Sequence, residues 1–182
     1  MANTECTTES DGMRAPELLC AAILAKTHEQ IERTCHLIEL LPADRLEWAP
    51  SIPGSWTVGL LLGHMLECLA GFCAVLQRIE PERLAHFDDL RRMPVNHRCS
   101  DSEAVNRIRQ YRTCIDEGFA LLDDGRLGQP VPTVFVAGGE LVITLLLGNL
   151  EHLINHKHQL FTYLRQMGRE VYTRDLYQFR GE

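Results

Sequence analysis

The sequence predicts an all-α protein, a four-helix bundle with a long crossover connection. Apolar residues recur every three or four positions along four long segments, which is the period of a helix with one buried face. The only clear β-branched run, PTVFVAGG at 132–139, is too short to supply a sheet. With 182 residues, 45% of them hydrophobic, the chain is large enough to bury one core, and helices packed on helices bury four such faces economically.

Residues 15–182 are predicted to form a single bundle domain, preceded by a disordered tail at 1–14. The tail is polar and shows no periodicity. The first helix is expected over residues 16–41, because its proline falls in the first turn, where proline is tolerated. Prolines and two tryptophans make residues 42–56 a rigid loop, whose tryptophans are expected to cap the end of the core.

The second helix is predicted over residues 58–79, with Thr57 as its N-cap. Trp56 and Leu61 flank that cap at the spacing of a hydrophobic staple. His64 lies in the middle of LLLGHMLECLAGFCAVL, where nearly every neighbour is apolar. Glycines at 63 and 71 each cost about 1 kcal/mol relative to alanine in a helix interior, so close packing or a cavity is expected beside them.

A crossover connection follows, with a short helical piece at 81–92 and an irregular stretch at 93–99. Ser100 or Asp101 is predicted to cap the third helix, whose apolar period continues until DDGRLGQP at 123–130. Residues 132–139 are interpreted as an extended segment that ends in a Gly-Gly turn. The fourth helix is predicted over residues 140–167, with Gly168 just past its end, and residues 169–182 carry enough aromatic surface to fold back.

The fourth helix carries the most informative pattern in the chain. His152 and His156 stand four residues apart, so their rings leave one face about a turn from each other, which is metal-ligand spacing. The polar stripe on this face comprises Asn149, His152, His156, Gln159 and Tyr163. If the second and fourth helices are neighbours, His64 faces the pair. Three imidazoles with an open fourth position are typical of a catalytic metal site.

Several assignments around this site stay open. Imidazole ligands suit zinc or nickel, and copper, iron or manganese are also possible. Cys68, four residues after His64, is a further candidate ligand, and Glu67 and Glu151 are the candidate catalytic carboxylates and partners of the ligands. The alternative is that each histidine is an ordinary core residue hydrogen-bonded to a neighbour. The loop at 48–56 and the segment at 132–139 are candidate walls of the pocket, with simple capping of the core as the alternative. An enzyme is expected to show an open coordination position beside a cavity of about a few hundred Å³, whereas a closed tetrahedral site would favour a structural role.

The other five histidines have no second histidine at metal-ligand spacing on the same helix face. His158 follows His156 by two residues, about 200° around the helix, so it should point away from the site. Ordinary surface or core roles are expected for His28, His36, His86 and His97.

Composition excludes several function classes. A net charge of −7 without a basic run argues against nucleic-acid or anionic-membrane binding. The seven cysteines are scattered and contain no C-x-x-C pair, so they are interpreted as reduced thiols that pack as small hydrophobes. No signal sequence is recognised and no apolar run is expected to span a bilayer, which predicts a soluble, cytoplasmic protein.

Two segments, SWTVGLLLGHMLECLAGF and NLEHLINHKHQLFTYLRQMG, resemble the DinB-like superfamily of bacterial metal-binding four-helix proteins. The resemblance implies that His64, His152 and His156 are metal ligands. The continuation of the motif is matched by Gln159, Tyr163, Leu164, Arg165 and Gly168. Lys157 and His158 replace the usual arginine and glycine, which leaves the ligands intact but places a bulkier side chain on the helix.

The resemblance also implies a function. Characterised relatives are metal-dependent thiol S-transferases or a thiol-dependent isomerase, and others are described as hydrolases. The expected partner is therefore a small-molecule substrate, with a low-molecular-weight thiol as one candidate. A homodimer is expected because the first and fourth helices carry more apolar surface than one core uses. A non-enzymatic bundle that senses a metal or small ligand, or that uses the metal only for stability, is the alternative.

Overall fold

A computed structural model describes residues 18–42, 44–133 and 136–177 of the chain. Four long helices form a bundle: α1 (Leu18–Glu39), α2 (Val58–Ile79), α3 (Asp101–Phe119) and α4 (Val142–Gln166). Both α1 and α2 pack against α3 and α4. The predicted all-α bundle is confirmed, whereas the predicted tail at 1–14 lies outside the described residues.

The predicted crossover joins α2 to α3 through three single-turn 3-10 helices that pack on α2. They span Ala85–Phe87, Leu90–Arg92 and Pro94–Asn96, and a further 3-10 turn spans Arg126–Gly128. Two short strands, β1 (Pro130–Val131) and β2 (Glu140–Leu141), pair in antiparallel fashion immediately before α4. This pairing corrects the sequence prediction, because β2 occupies the residues expected to begin the fourth helix, which therefore starts at Val142.

The helix ends are set by local hydrogen bonds, as the sequence predicts. Thr57 caps α2, since its hydroxyl oxygen accepts from the Leu60 N–H at 3.3 Å. Ser100, rather than Asp101, caps α3, and Glu103 accepts the Ser100 backbone N–H at 2.9 Å to complete a capping box. At the end of α4, Gly168 adopts a φ of +80°, which favours glycine.

The α2 helix is the apolar centre of the bundle. Its 22 residues are long and apolar enough to cross a membrane, so the expectation that no run reaches that threshold is wrong by length and composition. However, 72% of its most apolar 18-residue stretch is buried inside the bundle, as in the core helix of a soluble protein. The apolar sequence of α2 is therefore explained by its position in the core.

Close packing accounts for both glycines within α2. A Cβ atom at Gly63 would lie 2.5 Å from the backbone of His97 and Arg98, so the crossover touches the helix at this point. A Cβ atom at Gly71 would collide with the Asn149 carboxamide on α4. Of the two explanations open from the sequence, close packing is the one found.

The C-terminal segment folds back on the bundle through buried aliphatic residues and one buried lysine. Val171 and Leu176 are buried, whereas Tyr172 and Tyr177 are exposed, although the Tyr177 ring lies 5.4 Å from the Lys157 ammonium. Phe179 lies outside the described residues. A short helix, α5 (Thr173–Leu176), completes this segment. The Lys157 ammonium donates to the Gln30 side chain at 2.6 Å and to the Leu176 carbonyl at 2.7 Å. Burial lowers the pKa of Lys157 to about 8.

Cys114 is the one cysteine in the described part of the chain whose thiol pKa is lowered rather than raised. A hydrogen bond from Cys73 on α2 lowers the pKa of the Cys114 thiol on α3, against the opposing effect of burial. By contrast, burial raises the pKa of Cys35, which is also half-buried, to about 11. We therefore expect iodoacetamide to label Cys114 well before Cys35 at pH 7.5, because the thiolate is the nucleophile. Peptide mapping of a time course measures this order, and equal rates at the two positions would contradict it.

Candidate metal centre

The packing of α2 against α4 brings three histidine rings together. His64 of α2 faces His152 and His156 of α4, and the three ring centroids lie 4.6 to 4.9 Å apart. The Nε2 atoms of His64 and His152 are 3.1 Å apart. Two nitrogens bound tetrahedrally to one zinc ion lie about 3.3 Å apart, because each Zn–N bond is about 2.0–2.1 Å. The donor spacing thus suits a shared ion.

Neighbouring side chains hold two of these rings by the opposite nitrogen. The Nδ1 atom of His64 bonds the Glu67 carboxylate at 3.1 Å, and Nδ1 of His156 bonds the Gln159 side-chain oxygen at 2.9 Å. Such bonds fix the tautomer and the orientation of a metal-binding imidazole. They leave the Nε2 atom of His156 for a ligand, whereas the Nε2 atom of His64 lies at hydrogen-bond distance from that of His152, where a shared ion would replace the shared proton.

The polar stripe of α4 continues from the centre into the loop before α2. Gln159 donates to the Tyr163 hydroxyl oxygen at 2.9 Å, and the Tyr163 hydroxyl donates to the Trp56 carbonyl at 3.1 Å. The Trp48 ring packs edge-on against Tyr163 with centroids 5.3 Å apart. This chain of contacts links the orientation of His156 to the loop at 42–56.

Trp56 takes the less expected of the two roles that the sequence left open for its loop, a wall of the histidine site. Its ring stacks on His156 with centroids 5.5 Å apart and meets the edge of His64 at 4.6 Å. Instead of capping the core, it is 38% exposed and covers one side of the histidine cluster. Trp48 is half-buried against the core, which agrees better with the expected capping role.

Burial and the neighbouring imidazoles favour the neutral form of the three histidines. Burial lowers the pKa of His64, His152 and His156, and the neighbouring imidazoles lower each of them further. The Glu67 carboxylate opposes this effect at His64 and His152. Neutral imidazole is the form that binds a metal. The centre therefore has little competition from protons at neutral pH.

Cys68 is the fourth member of the group. Potential ligand atoms from Cys68 and the three histidines all lie within 4.8 Å of one another, which makes them able to hold an ion. The Cys68 thiol is buried, and burial raises its pKa to about 12. As a ligand it would have to lose its proton, a change that a bound cation favours.

The other residues singled out from the sequence lie away from this cluster. Glu151 is exposed on α4 and makes no hydrogen bond to the described part of the chain. His158 is exposed and stacks on Phe161 at 5.9 Å, pointing away as predicted. Carboxylates pair with three more histidines, in His28–Asp116, His36–Asp175 and His86–Glu117.

A small cavity opens beside His64. Its volume is about 150 Å³, and it is lined by Trp56, Leu60, His64, Glu67, Asn96 and His97. An enzyme site of this type was expected to have a cavity of a few hundred Å³, so the space found is smaller than predicted. The sequence gives no sign that His97 lines this cavity. A tertiary contact brings it there, because its backbone packs against Gly63 of α2.

Other grooves on the surface are separate from the centre. Pro132 and Thr133 border a groove with Gln77 and Pro81, so these residues do not wall the histidine site as the sequence suggested. A larger groove, about 710 Å³, runs along α4 and the C-terminal segment. It is lined by His158, Phe161, Arg165, Val171, Tyr172, Thr173, Arg174 and Leu176, none of them a member of the histidine cluster.

Comparison with known proteins gives a family and a fold. The model of the DinB family matches residues 13–180. A DinB-like protein from Bacillus subtilis superposes with a TM-score of 0.62 at 19% identity, covering 87% of this chain and 96% of that one. Another from Bacillus cereus gives a TM-score of 0.63 at 18% identity, covering 84% and 97%. At these identities the likeness shows the fold alone. No curated protein matches the chain.

Proposed function

The chain belongs to the DinB family, and from this premise we propose that it is a metal-dependent enzyme whose ligands are His64, His152 and His156. The observation that carries the proposal is the convergence of three imidazoles, with the Nε2 atoms of His64 and His152 only 3.1 Å apart. Zinc or nickel suits this donor set best, and manganese or iron is possible.

A divalent ion with an open coordination position lowers the pKa of a thiol or water that it binds, which creates a nucleophile at neutral pH. Thiol S-transfer and hydrolysis both use this chemistry. Around the proposed ion, Glu67 holds the His64 ring. Trp56 shields the cluster from solvent on one side. The cavity beside His64 offers space for the reacting molecule.

A direct assay distinguishes the two reactions. The zinc-loaded protein is mixed with 2-mercaptoethanol and 1-chloro-2,4-dinitrobenzene to detect thiol transfer, or with p-nitrophenyl acetate to detect hydrolysis. We expect acceleration of one reaction by the loaded wild type and by His158→Ala, and none by the chelated protein or by His156→Ala. Loaded protein that accelerates neither reaction with these or related electrophiles would favour the non-enzymatic alternative.

One observation supports that alternative, a closed structural metal site. Cys68 lies within 4.8 Å of the three histidines, so it could complete a four-ligand shell without an open position. In that case the ion would stabilise the contact between α2 and α4. The chain would bind metal but would not present it to a substrate.

The two carboxylates considered from the sequence are expected to behave differently. Glu67→Gln weakens the bond that orients His64, so we expect zinc affinity to fall about 10- to 100-fold, as for other partners of metal ligands. Glu151→Gln is the matched control, because Glu151 is exposed and makes no hydrogen bond to the described residues. Competition with a chromophoric chelator measures both affinities. Equal affinities for the two variants would contradict the role of Glu67.

A further inference from the structure

We infer that His97 binds the polar end of the small molecule that enters the cavity beside the metal centre. This inference rests on the proposed function, because it takes that cavity as the substrate site. The ligand class is a small thiol or alcohol that carries a second polar group, with its apolar part against Trp56 and Leu60. Sequence reasoning gives His97 only an ordinary role.

Backbone contacts fix His97 beside the centre. It follows the 3-10 turn Pro94–Asn96, and its N–H donates to the Pro94 carbonyl at 3.0 Å. Gly63 is the residue before His64, and a Cβ atom added to it would lie only 2.5 Å from the carbonyl carbon of His97. Two residues later, the Cys99 N–H donates to the Gly59 carbonyl at 3.3 Å. The crossover therefore packs on α2 before and at His97 and is hydrogen-bonded to it two residues later.

The other polar side chains of the cavity that could compete for this role are already engaged. The Asn96 carboxamide donates to the Leu90 carbonyl at 2.7 Å and accepts from the Tyr111 hydroxyl at 2.8 Å. Glu67 is bonded to His64. The His97 ring is exposed and has no hydrogen-bond partner among the described residues. It is thus free to bond a ligand.

Two residues of the cavity lining, Trp56 and Leu60, are apolar. Trp56 and Leu60 are 38% and 39% exposed, although both are large hydrophobic residues next to a polar cluster. A ligand that covers them removes apolar surface from water, which favours binding. A volume of about 150 Å³ limits the ligand to a few non-hydrogen atoms beyond the one at the centre.

The test compares 2-mercaptoethanol with ethanethiol, which lacks the hydroxyl group. Binding is followed by the fluorescence of Trp56 in a Trp48→Phe background, with zinc and without it. We expect the wild type to prefer 2-mercaptoethanol by about two- to tenfold, the range of one hydrogen bond, and His97→Ala to lose that preference. His97→Gln should retain part of it. His86→Ala is the matched control, since His86 is an exposed crossover histidine paired with Glu117.

Each outcome decides the matter. The same preference in His97→Ala as in the wild type would overturn the inference, and so would fluorescence that responds to neither thiol. A preference that persists without zinc in a protein that binds no metal would support His97 and reject the proposed metal centre. The two ideas therefore fail in distinguishable ways.

Discussion

Replacement of His156 by alanine is expected to reduce bound zinc from about one equivalent per chain to less than a tenth. His156 contributes one of three converging imidazoles, and its Nδ1 atom is already held by Gln159. Removing a metal ligand should reduce zinc affinity more than removing a residue that only orients a ligand, which costs about 10- to 100-fold. We therefore expect His156→Ala to reduce zinc affinity by well over 100-fold. Elemental mass spectrometry on protein without a histidine tag measures the metal content.

His158→Ala is the control for this variant. His158 lies two residues further along α4, on its exposed side, and stacks on Phe161. It should retain a full equivalent of zinc, whereas His64→Ala should lose zinc as His156→Ala does. Equal zinc content in the His156 and His158 variants would show that the cluster does not hold the ion.

The second large effect is expected at Gly63. An added Cβ atom would lie 2.5 Å from backbone atoms of His97 and Arg98, which cannot turn away as a side chain can. We therefore expect Gly63→Ala to lower the free energy of unfolding by about 1–3 kcal/mol, the usual range for overpacking. Urea denaturation followed by circular dichroism measures the change.

Gly148→Ala is the matched control in another helix. A Cβ atom at Gly148 of α4 would meet no atom within 4 Å. This variant should gain up to about 1 kcal/mol of stability, because alanine favours the helix over glycine. If Gly63→Ala were as stable as Gly148→Ala, the contact between the crossover and α2 would not be as close as described.

The helices could be predicted because their signals are local. An apolar period of three to four residues marks each buried face, and the caps at Thr57 and Ser100 are set by neighbours within three residues. The sequence pattern predicts a start of α4 that is two residues too early, because Glu140–Leu141 instead pairs with Pro130–Val131. The two paired segments are separated by a loop, so the apolar period of α4 does not reveal that its first predicted residues form a strand.

The candidate site was predictable only in part, for the same reason. The spacing of His152 and His156 shows in the sequence, and His64 stands out in an apolar helix. Trp56 and His97 reach the cluster through tertiary contacts instead. The glycine at position 63 was a partial signal, because it predicted a close neighbour without identifying it as the backbone of His97.

The local pattern of α4 is misleading at Lys157, because a charged residue among apolar ones suggests an exposed position. Lys157 interrupts the apolar stripe of α4, yet it is buried with only 2% of its surface exposed. Its partners, Gln30 and the Leu176 carbonyl, are 127 and 19 residues away in the chain. A buried ammonium is tolerable only with such partners, and sequence periodicity does not reveal them.

X-ray absorption spectroscopy of the zinc-loaded wild type tests the central claim, a three-histidine centre with an open position. We predict three nitrogen ligands at about 2.0–2.1 Å together with one exchangeable oxygen ligand. A sulfur ligand at about 2.3 Å would identify Cys68 and a closed site, and failure to take up zinc at all would contradict the metal centre itself.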